Sequence, residues 1–181
     1  MPDGAGGETV VAYVGLGSNL GDRLGHLAAG VRGLAAAPQV HLAGVSSIYE
    51  SAPVDAPPQP DFLNAALLVE VDVAPLALLA ICQRLETAAG RDRGAGARFG
   101  PRVLDIDLLL APDLVVEGAA LTLPHPRLAE RRFALLPACE LVPDWVHPRR
   151  HRTVAELAAT VSPAEQPCRR VGSLPAAGEH R

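Results

Sequence analysis

The sequence contains no lysine, and all 16 of its Lys and Arg residues are arginines. A Walker A loop ends in Gly-Lys-Ser or Gly-Lys-Thr, and Schiff-base catalysis needs a lysine amine, so both are excluded. Any phosphate that binds here must be held by arginine guanidinium groups and metal ions. The net charge of −4 also argues against a general nucleic-acid binder, which usually presents a basic face.

Cysteines, aromatic residues and long apolar runs are also scarce. Cys82, Cys139 and Cys168 are far apart and form no CxxC pair, so their spacing indicates neither a disulfide framework nor a zinc site. Aromatic residues make up only 3% of the chain, so its core must be built mainly from Ala, Leu and Val. Without a long apolar run or a signal-peptide pattern, we expect a cytoplasmic protein.

Hydrophobic periodicity and turn residues predict one α+β domain. Its segments follow the order β-α-β-β-α-β of the ferredoxin-like fold, which has an antiparallel sheet, and we expect the helices to pack on one face. The predicted strands are 10–14, 40–49, 62–73 and 103–110, and the predicted helices are 22–36 and 75–89. A small hairpin within 114–123 and a short helix at 153–160 are expected beyond this core.

The domain is expected to span residues 10–161. Residues 1–9 form a flexible leader in this interpretation, and residues 162–181 form a disordered tail, because they show no hydrophobic periodicity. We expect a monomer, since no exposed apolar stripe requires a partner.

The last predicted strand carries two acids, Asp105 and Asp107, separated by one apolar residue. Alternate residues of a strand share a face, so both carboxylates point the same way. Neighbouring carboxylates repel each other unless a cation lies between them, and Mg²⁺ commonly uses one or two carboxylates together with substrate phosphates. The alternative is a solvated strand face with two ordinary acids.

An arginine-rich, glycine-rich stretch directly precedes this strand. Four arginines fall within twelve residues: Arg91, Arg93, Arg98 and Arg102. Guanidinium groups bind phosphate through two parallel hydrogen bonds, and glycines let a loop fold over a ligand. A solvated basic loop is the alternative, but the adjacent diacid favours a metal–polyphosphate site.

Three further features are possible parts of the site, and the first of them is better explained as local structure. The stretch Gly15–Gly21 is interpreted as a tight turn with helix capping, because its third glycine comes one residue too late for a dinucleotide fingerprint. His125 lies between two prolines and could donate a hydrogen bond to a phosphate or leaving group. Phe62 and Asn64 share a strand face and, with Phe133, could hold a flat ring, although core packing is the alternative for each phenylalanine.

Four motifs together resemble the 6-hydroxymethyl-7,8-dihydropterin pyrophosphokinase family of folate biosynthesis. They are VGLGSN at 14–19, QPDFLNAA at 59–66, RFGPRVLDIDLLL at 98–110 and LTLPH at 121–125. The resemblance implies a ferredoxin-like core that binds ATP with two Mg²⁺ ions. Pro126 departs from the family, which often has a tyrosine there that touches phosphate.

The resemblance also implies roles for individual residues. Asp105 and Asp107 would hold both metals, and the pterin ring would stack between Phe62 and Phe133. The other pterin contacts would come from Asn64 and from the backbone of Ser51 and Val54. The residues expected to contact ATP are Gln83, Glu86, Arg91, Arg93, Arg98, Arg102, Ile106, Leu121, Thr122, His125 and Arg131. Two alternatives stay open: another Mg²⁺-dependent phosphohydrolase, and a non-catalytic ligand-sensing or RNA-binding ferredoxin-like module.

Overall fold

The computed structural model describes residues 9–90, 100–112 and 114–174 of the chain. Its strands are β1 (Val10–Ser18), β2 (Val40–Val45), β3 (Ser47–Ser51), β4 (Phe62–Val71), β5 (Asp105–Leu110), β6 (Val116–Glu117), β7 (Thr122–Leu123), β8 (Val146–His147), β9 (Arg152–Thr153) and β10 (Cys168–Ser173). Its helices are α1 (Arg23–Ala35), α2 (Pro75–Ala88), a 3₁₀ turn (Leu128–Glu130), α3 (Arg132–Leu141) and α4 (Val154–Ala158). None of the helices in these ranges has the length and apolar character that a bilayer crossing requires.

The main sheet confirms the predicted ferredoxin-like order. Its strands run β10-β3-β4-β1-β5, β2 also pairs with β4, and the pairings among the described strands are antiparallel. The predicted strand 40–49 is interrupted at Ser46, whose hydroxyl accepts a 2.8 Å hydrogen bond from the Ala66 N–H. The Ala66 N–H is thus bonded to the Ser46 side chain and not to a main-chain carbonyl. The regular ladder is interrupted at this point, so the strand divides into β2 and β3.

The two helices of the predicted core pack on one face of the sheet, as expected, and a further helix covers the other face. Helices α1 and α2 pack on one face, where Leu27 and Leu78 join a core with Val14. Helix α3, which the sequence did not predict, covers the other face, and its Leu135 is buried beside Tyr13. The ends of α3 are tied to the sheet by hydrogen bonds from Tyr13 and Tyr49, which donate to the Ala134 carbonyl and to Glu140 respectively.

The predicted tight turn at the first glycines is wrong. Gly15 and Gly17 continue β1 through Ser18, because they are paired with β4 on one side and β5 on the other. The chain turns only afterwards, and Asp22 caps α1 by accepting a 2.9 Å hydrogen bond from the Gly25 N–H.

The segment expected to be a disordered tail contains a strand. Residues 168–173 form β10, which pairs antiparallel with β3, with Cys168 opposite Ser51. Five of its six residues are exposed, so side-chain periodicity gives no signal. The pairing depends on main-chain hydrogen bonds to the edge of β3, which composition does not encode.

Candidate functional site

The two acids lie on β5 as the period of a strand predicts. Asp105 is paired with Gly17 of β1 and Asp107 with Gly15. Both carboxylates are on the face of the sheet that α3 covers, while Ile106 between them is buried in the opposite core. Because Gly17 has no side chain, space remains beside Asp105, whereas the place of a side chain at Gly15 is taken by Leu109.

That space is part of a cavity of about 360 Å³. Its walls come from β1, β4, β5, the loop after β3, the segment around His125 and the start of α3. Ten of the predicted site residues line it: Ser51, Val54, Phe62, Asn64, Arg102, Asp105, Asp107, His125, Arg131 and Phe133. The structure therefore brings together the diacid, cationic groups and two aromatic rings in one place.

The charge balance at the acids fits a cation. Burial, together with the nearby negative charges of Asp105 and Glu86, raises the pKa of Asp107 to about 7. The positive charges of Arg102 and Arg131 act in the opposite direction, and Arg102 is also ion-paired with Asp105. A buried carboxylate whose charged form is disfavoured beside another carboxylate is suited to a divalent metal with oxygen ligands.

Arg131 offers a donor suited to an anion. Its Nε is buried and has no hydrogen-bond partner within the part of the chain that the structure describes. Burial, followed by the charge of Arg127, lowers the pKa of the Arg131 guanidinium. The guanidinium carbon lies 5.6 Å from the centre of the Phe133 ring, within cation–π range. Arg131 lines the cavity, so its guanidinium can donate to a phosphate oxygen there.

His125 is held as a neutral hydrogen-bond donor. Burial, together with the positive charges of Arg131 and Arg127, lowers its pKa to about 4. The Arg127 main-chain N–H donates to His125 Nδ1 at 3.1 Å, so Nδ1 is the acceptor and the proton is on Nε2. The main-chain N–H of His125 donates to the Leu109 carbonyl at 2.8 Å, which ties it to the end of β5.

The two phenylalanines lie in the same cavity as a paired amide and hydroxyl. Asn64 Nδ2 donates to Ser51 Oγ at 2.9 Å, which orients the Asn64 amide on β4. Phe62 precedes Asn64 on the same face, and Phe133 approaches from α3. Aromatic faces with an oriented amide between them suit a flat heterocycle with a polar edge.

Sequence reasoning missed the role of Asn19, which is 2% exposed. Its main-chain N–H donates to the Arg102 carbonyl at 3.0 Å, and its Oδ1 accepts from the Arg102 N–H at 2.7 Å. Its Nδ2 donates to Gln59 Oε1 at 2.9 Å and to the Pro60 carbonyl at 3.0 Å. One side chain thus joins the segment before the diacid to the loop before Phe62. The VGLGSN motif contained the signal, but we interpreted it as capping.

The other predicted nucleotide residues within the described ranges do not line this cavity. Glu86 is buried on α2, and its Oε1 accepts a 2.9 Å hydrogen bond from the Ile106 N–H, so that amide is already engaged. Gln83 lies one turn earlier on α2, Leu121 is buried in the core beneath α1 and α2, and Thr122 begins β7. Arg91, Arg93 and Arg98 lie outside the described residues.

Fold and site define a ferredoxin-like α+β domain whose sheet carries a cavity suited to a metal, phosphates and a flat ring. The family model of 7,8-dihydro-6-hydroxymethylpterin-pyrophosphokinase (HPPK) matches residues 13–143, and the chain belongs to this family. The resemblance seen in the sequence motifs is therefore confirmed.

Curated relatives agree with this assignment. The chain is 42% identical over 135 residues to the 2-amino-4-hydroxy-6-hydroxymethyldihydropteridine pyrophosphokinase of Methylorubrum extorquens, covering 75% of this chain and 84% of the relative. It is 39% identical over 146 residues to the Synechocystis protein of the same name, covering 81% of this chain and 73% of the relative.

Solved structures support the fold alone. A Plasmodium falciparum HPPK-DHPS structure with pteroate matches 84% of this chain with a TM-score of 0.66 and 15% sequence identity. The match covers 42% of that longer chain.

Proposed function

We propose that this protein transfers the pyrophosphoryl group of ATP to the hydroxymethyl group of 6-hydroxymethyl-7,8-dihydropterin and releases AMP. The observation that carries the proposal is the meeting of Asp105 and Asp107, cationic groups and two phenylalanines in one cavity. Membership of the pyrophosphokinase family supports the same reaction. A phosphohydrolase would not need the ring-binding residues, and a non-catalytic module would not need the diacid.

In this proposal Asp105 and Asp107 hold two Mg²⁺ ions. Bound there, these ions would neutralise phosphate oxygens and lower the pKa of the substrate hydroxyl. The fit rests on the donor chemistry of the two carboxylates and on the raised pKa of Asp107. Each carboxylate is on a rigid strand, so the ligands need little rearrangement to bind.

The pterin is held by a group of residues that we call the ring subsite: Ser51, Val54, Phe62, Asn64 and Phe133. Phe62 and Phe133 contact its faces, Asn64 hydrogen-bonds its polar edge, and the backbone of Ser51 and Val54 recognises the rest. Cation–π contact between Arg131 and Phe133 orients the second ring. Holding the hydroxymethyl oxygen close to the nucleotide lowers the entropic part of the barrier.

The phosphates are held by two arginines and one neutral histidine around the acids. Arg102, Arg131 and the Nε2–H of His125 donate to phosphate oxygens and stabilise the charge that develops on them. The hydroxymethyl oxygen attacks the β-phosphorus of ATP in line, and its proton passes to solvent. The bond from the β-phosphorus to the oxygen of the α-phosphate breaks, and AMP leaves with that oxygen.

The remaining parts of the proposal follow the family. The nucleotide extends beyond the cavity to Gln83, Glu86, Leu121 and Thr122, and Ile106 contributes its backbone carbonyl, because its N–H is bonded to Glu86. Arg91, Arg93 and Arg98 close over the phosphates. We also propose that the protein is a cytoplasmic monomer.

AMP release tests the reaction directly. The wild-type protein should form AMP from ATP only when both Mg²⁺ and the pterin alcohol are present, and EDTA should stop it. Release of AMP or phosphate at the same rate without pterin would instead favour a phosphohydrolase. Calorimetry with Phe133→Ala adds a second test, because this change should weaken pterin binding more than ATP binding. Equal weakening would contradict the stacking role.

A further inference from the structure

The segment 162–174 lies beyond the range that the family model matches, yet it reaches the cavity wall. The pairing of β10 with β3 places Cys168 opposite Ser51, at the end of the strand that lines the ring subsite. The residues just before β10 are thereby brought against the first turn of α3. This turn carries two cavity residues, Arg131 and Phe133.

Gln166 is hydrogen-bonded to the main chain on both sides of Arg131. Its Oε1 accepts from the Arg132 N–H at 2.9 Å, and its Nε2 donates to the Glu130 carbonyl at 2.8 Å. The main-chain N–H of Gln166 donates to the Ser162 carbonyl at 3.0 Å, which fixes the segment that carries it. The Gln166 side-chain amide therefore fixes the main-chain conformation at Arg131, and with it the direction of the Arg131 side chain.

A second contact supports the same arrangement. The Arg132 guanidinium donates to the Cys168 carbonyl at 3.1 Å, so the first turn of α3 is joined directly to β10. Gln166 also lines a cleft of about 30 Å³ that Phe133 and Val54 share. The cleft is far too small for a ligand of pterin size, so we interpret these residues as support behind the ring subsite.

Helix α3 needs such support because its own N-cap supplies none. Arg131 is the N-cap residue, and its side chain forms no capping hydrogen bond with the described first turn. The first N–H groups of a helix need external partners. Gln166 supplies one of them from a distant part of the chain, and so holds the first turn where Phe133 faces the cavity.

We propose that Gln166 is a positioning residue that holds Arg131 and Phe133 at the cavity. In this way the C-terminal segment completes the subsite that binds the flat ring of the substrate. This inference rests on the proposed function, since the ring is that of its pterin substrate. Gln166 contacts the backbone of α3 and acts on the substrate through Phe133.

The test compares ring affinity with nucleotide affinity. In Gln166→Ala, the Kd of the pterin alcohol, measured with Mg²⁺ and a non-hydrolysable ATP analogue, should rise about 3- to 10-fold. The Kd of the Mg²⁺–nucleotide alone should rise less than the pterin Kd, because Arg131 is one of several groups that hold the phosphates and the acids of β5 do not depend on this contact. Gln39→Ala makes the same change at an exposed glutamine that lines neither the cavity nor the cleft, so it is the matched control and should bind both ligands like the wild type.

Two further variants separate positioning from general stability. Gln166→Glu keeps the acceptor for the Arg132 N–H and loses the donor to Glu130, so its pterin Kd should be intermediate. Phe133→Ala and the double variant Phe133→Ala/Gln166→Ala should have the same pterin Kd, because the double variant no longer has a ring to position.

Three results would overturn the inference: wild-type pterin affinity in Gln166→Ala, equal losses of pterin and nucleotide affinity, or independent effects in the double variant. Failure of the proposed function would look different. In that case the wild-type protein itself would form no AMP from ATP and the pterin alcohol.

Discussion

Asn19 and Arg102 exchange two hydrogen bonds across 83 residues of sequence, one between main-chain groups and one from the Arg102 N–H to Asn19 Oδ1. The same Asn19 side chain donates to the loop before Phe62. The pair therefore connects the phosphate side of the cavity to the ring side. This connection is buried, so its polar groups have few alternative partners.

Replacing Asn19 by Asp should disconnect the two sides without changing side-chain size. The carboxylate would face Gln59 Oε1 and the Pro60 carbonyl, both acceptors, in place of the two present donor contacts. We expect kcat/KM to fall roughly 10- to 100-fold, equivalent to about 1.4–2.8 kcal/mol, while the circular dichroism spectrum is kept. Wild-type kcat/KM in this variant would show that the connection is not needed for turnover.

Asp107 should be essential for activity and unfavourable for stability. Its pKa of about 7 in the folded protein exceeds the usual Asp pKa near 4 in the unfolded chain. The folded state then binds more protons between these pH values, so the stability of the metal-free protein should fall as pH rises through this range. Asp107→Asn should abolish AMP formation and, at pH 8 in EDTA, raise the unfolding free energy by roughly 1–3 kcal/mol.

Thermal melts in EDTA at pH 5 and pH 8 measure this effect. A gain of 1 kcal/mol corresponds to about 2–4 °C for a chain of this size. Asp105→Asn is the comparison, because it breaks the ion pair with Arg102 and should bring no such gain. Equal gains for Asp107→Asn at both pH values would contradict the interpretation, and normal turnover in Asp107→Ala would refute the metal site.

Adding one methyl group at Gly17 should partly fill the ring subsite. A Cβ there would lie 3.4 Å from Asn64 Oδ1 and 3.6 Å from Phe62 Cδ1, which are ordinary contacts, so Gly17→Ala should fold. We expect the pterin Kd to rise about 5- to 10-fold. The added carbon displaces the substrate, and the lost contacts cost roughly 1 kcal/mol of binding free energy. Gly172→Ala, where no atom lies within 4 Å of the added carbon, is the control. Unchanged pterin affinity in Gly17→Ala would place the ring elsewhere.

His125 should act as a neutral donor at all pH values near neutrality. Because its pKa is lowered to about 4, nitrogen NMR should show Nε2 protonated and Nδ1 unprotonated from pH 6 to 8. His125→Ala should lower kcat on the order of 10- to 100-fold through the loss of one donor to phosphate. The control is His41→Ala, at an exposed position of β2. Titration of His125 near pH 6.5 would contradict the assignment.

Local patterns predicted the parts of the fold and site that depend on near neighbours. Side chains alternate between the two faces of a strand, and this repeat predicted that Asp105 and Asp107 share a face. The order of the first six segments predicted the ferredoxin-like core. The motifs of the family also predicted ten of the residues that line the cavity.

The parts that failed depend on distant partners. Asn19 is preceded by glycines and followed by a helix, so capping was a reasonable local interpretation, and its partners are 40 to 83 residues away. Helix α3 contains Pro137, which interrupts the sequence signal, although the structure accommodates it inside the helix. Gln166 is one polar residue in a segment without periodicity, so only its contacts reveal it.

Strand β10 also has a consequence for solubility. It covers the hydrogen-bonding edge of β3, and its own sequence places Arg169 and Arg170 side by side, followed by a register shift before Gly172. Exposed sheet edges promote aggregation, whereas charges and bulges on an edge strand discourage pairing between molecules. A chain shortened to the family-matched range would leave β3 uncovered, and we expect it to self-associate through that edge.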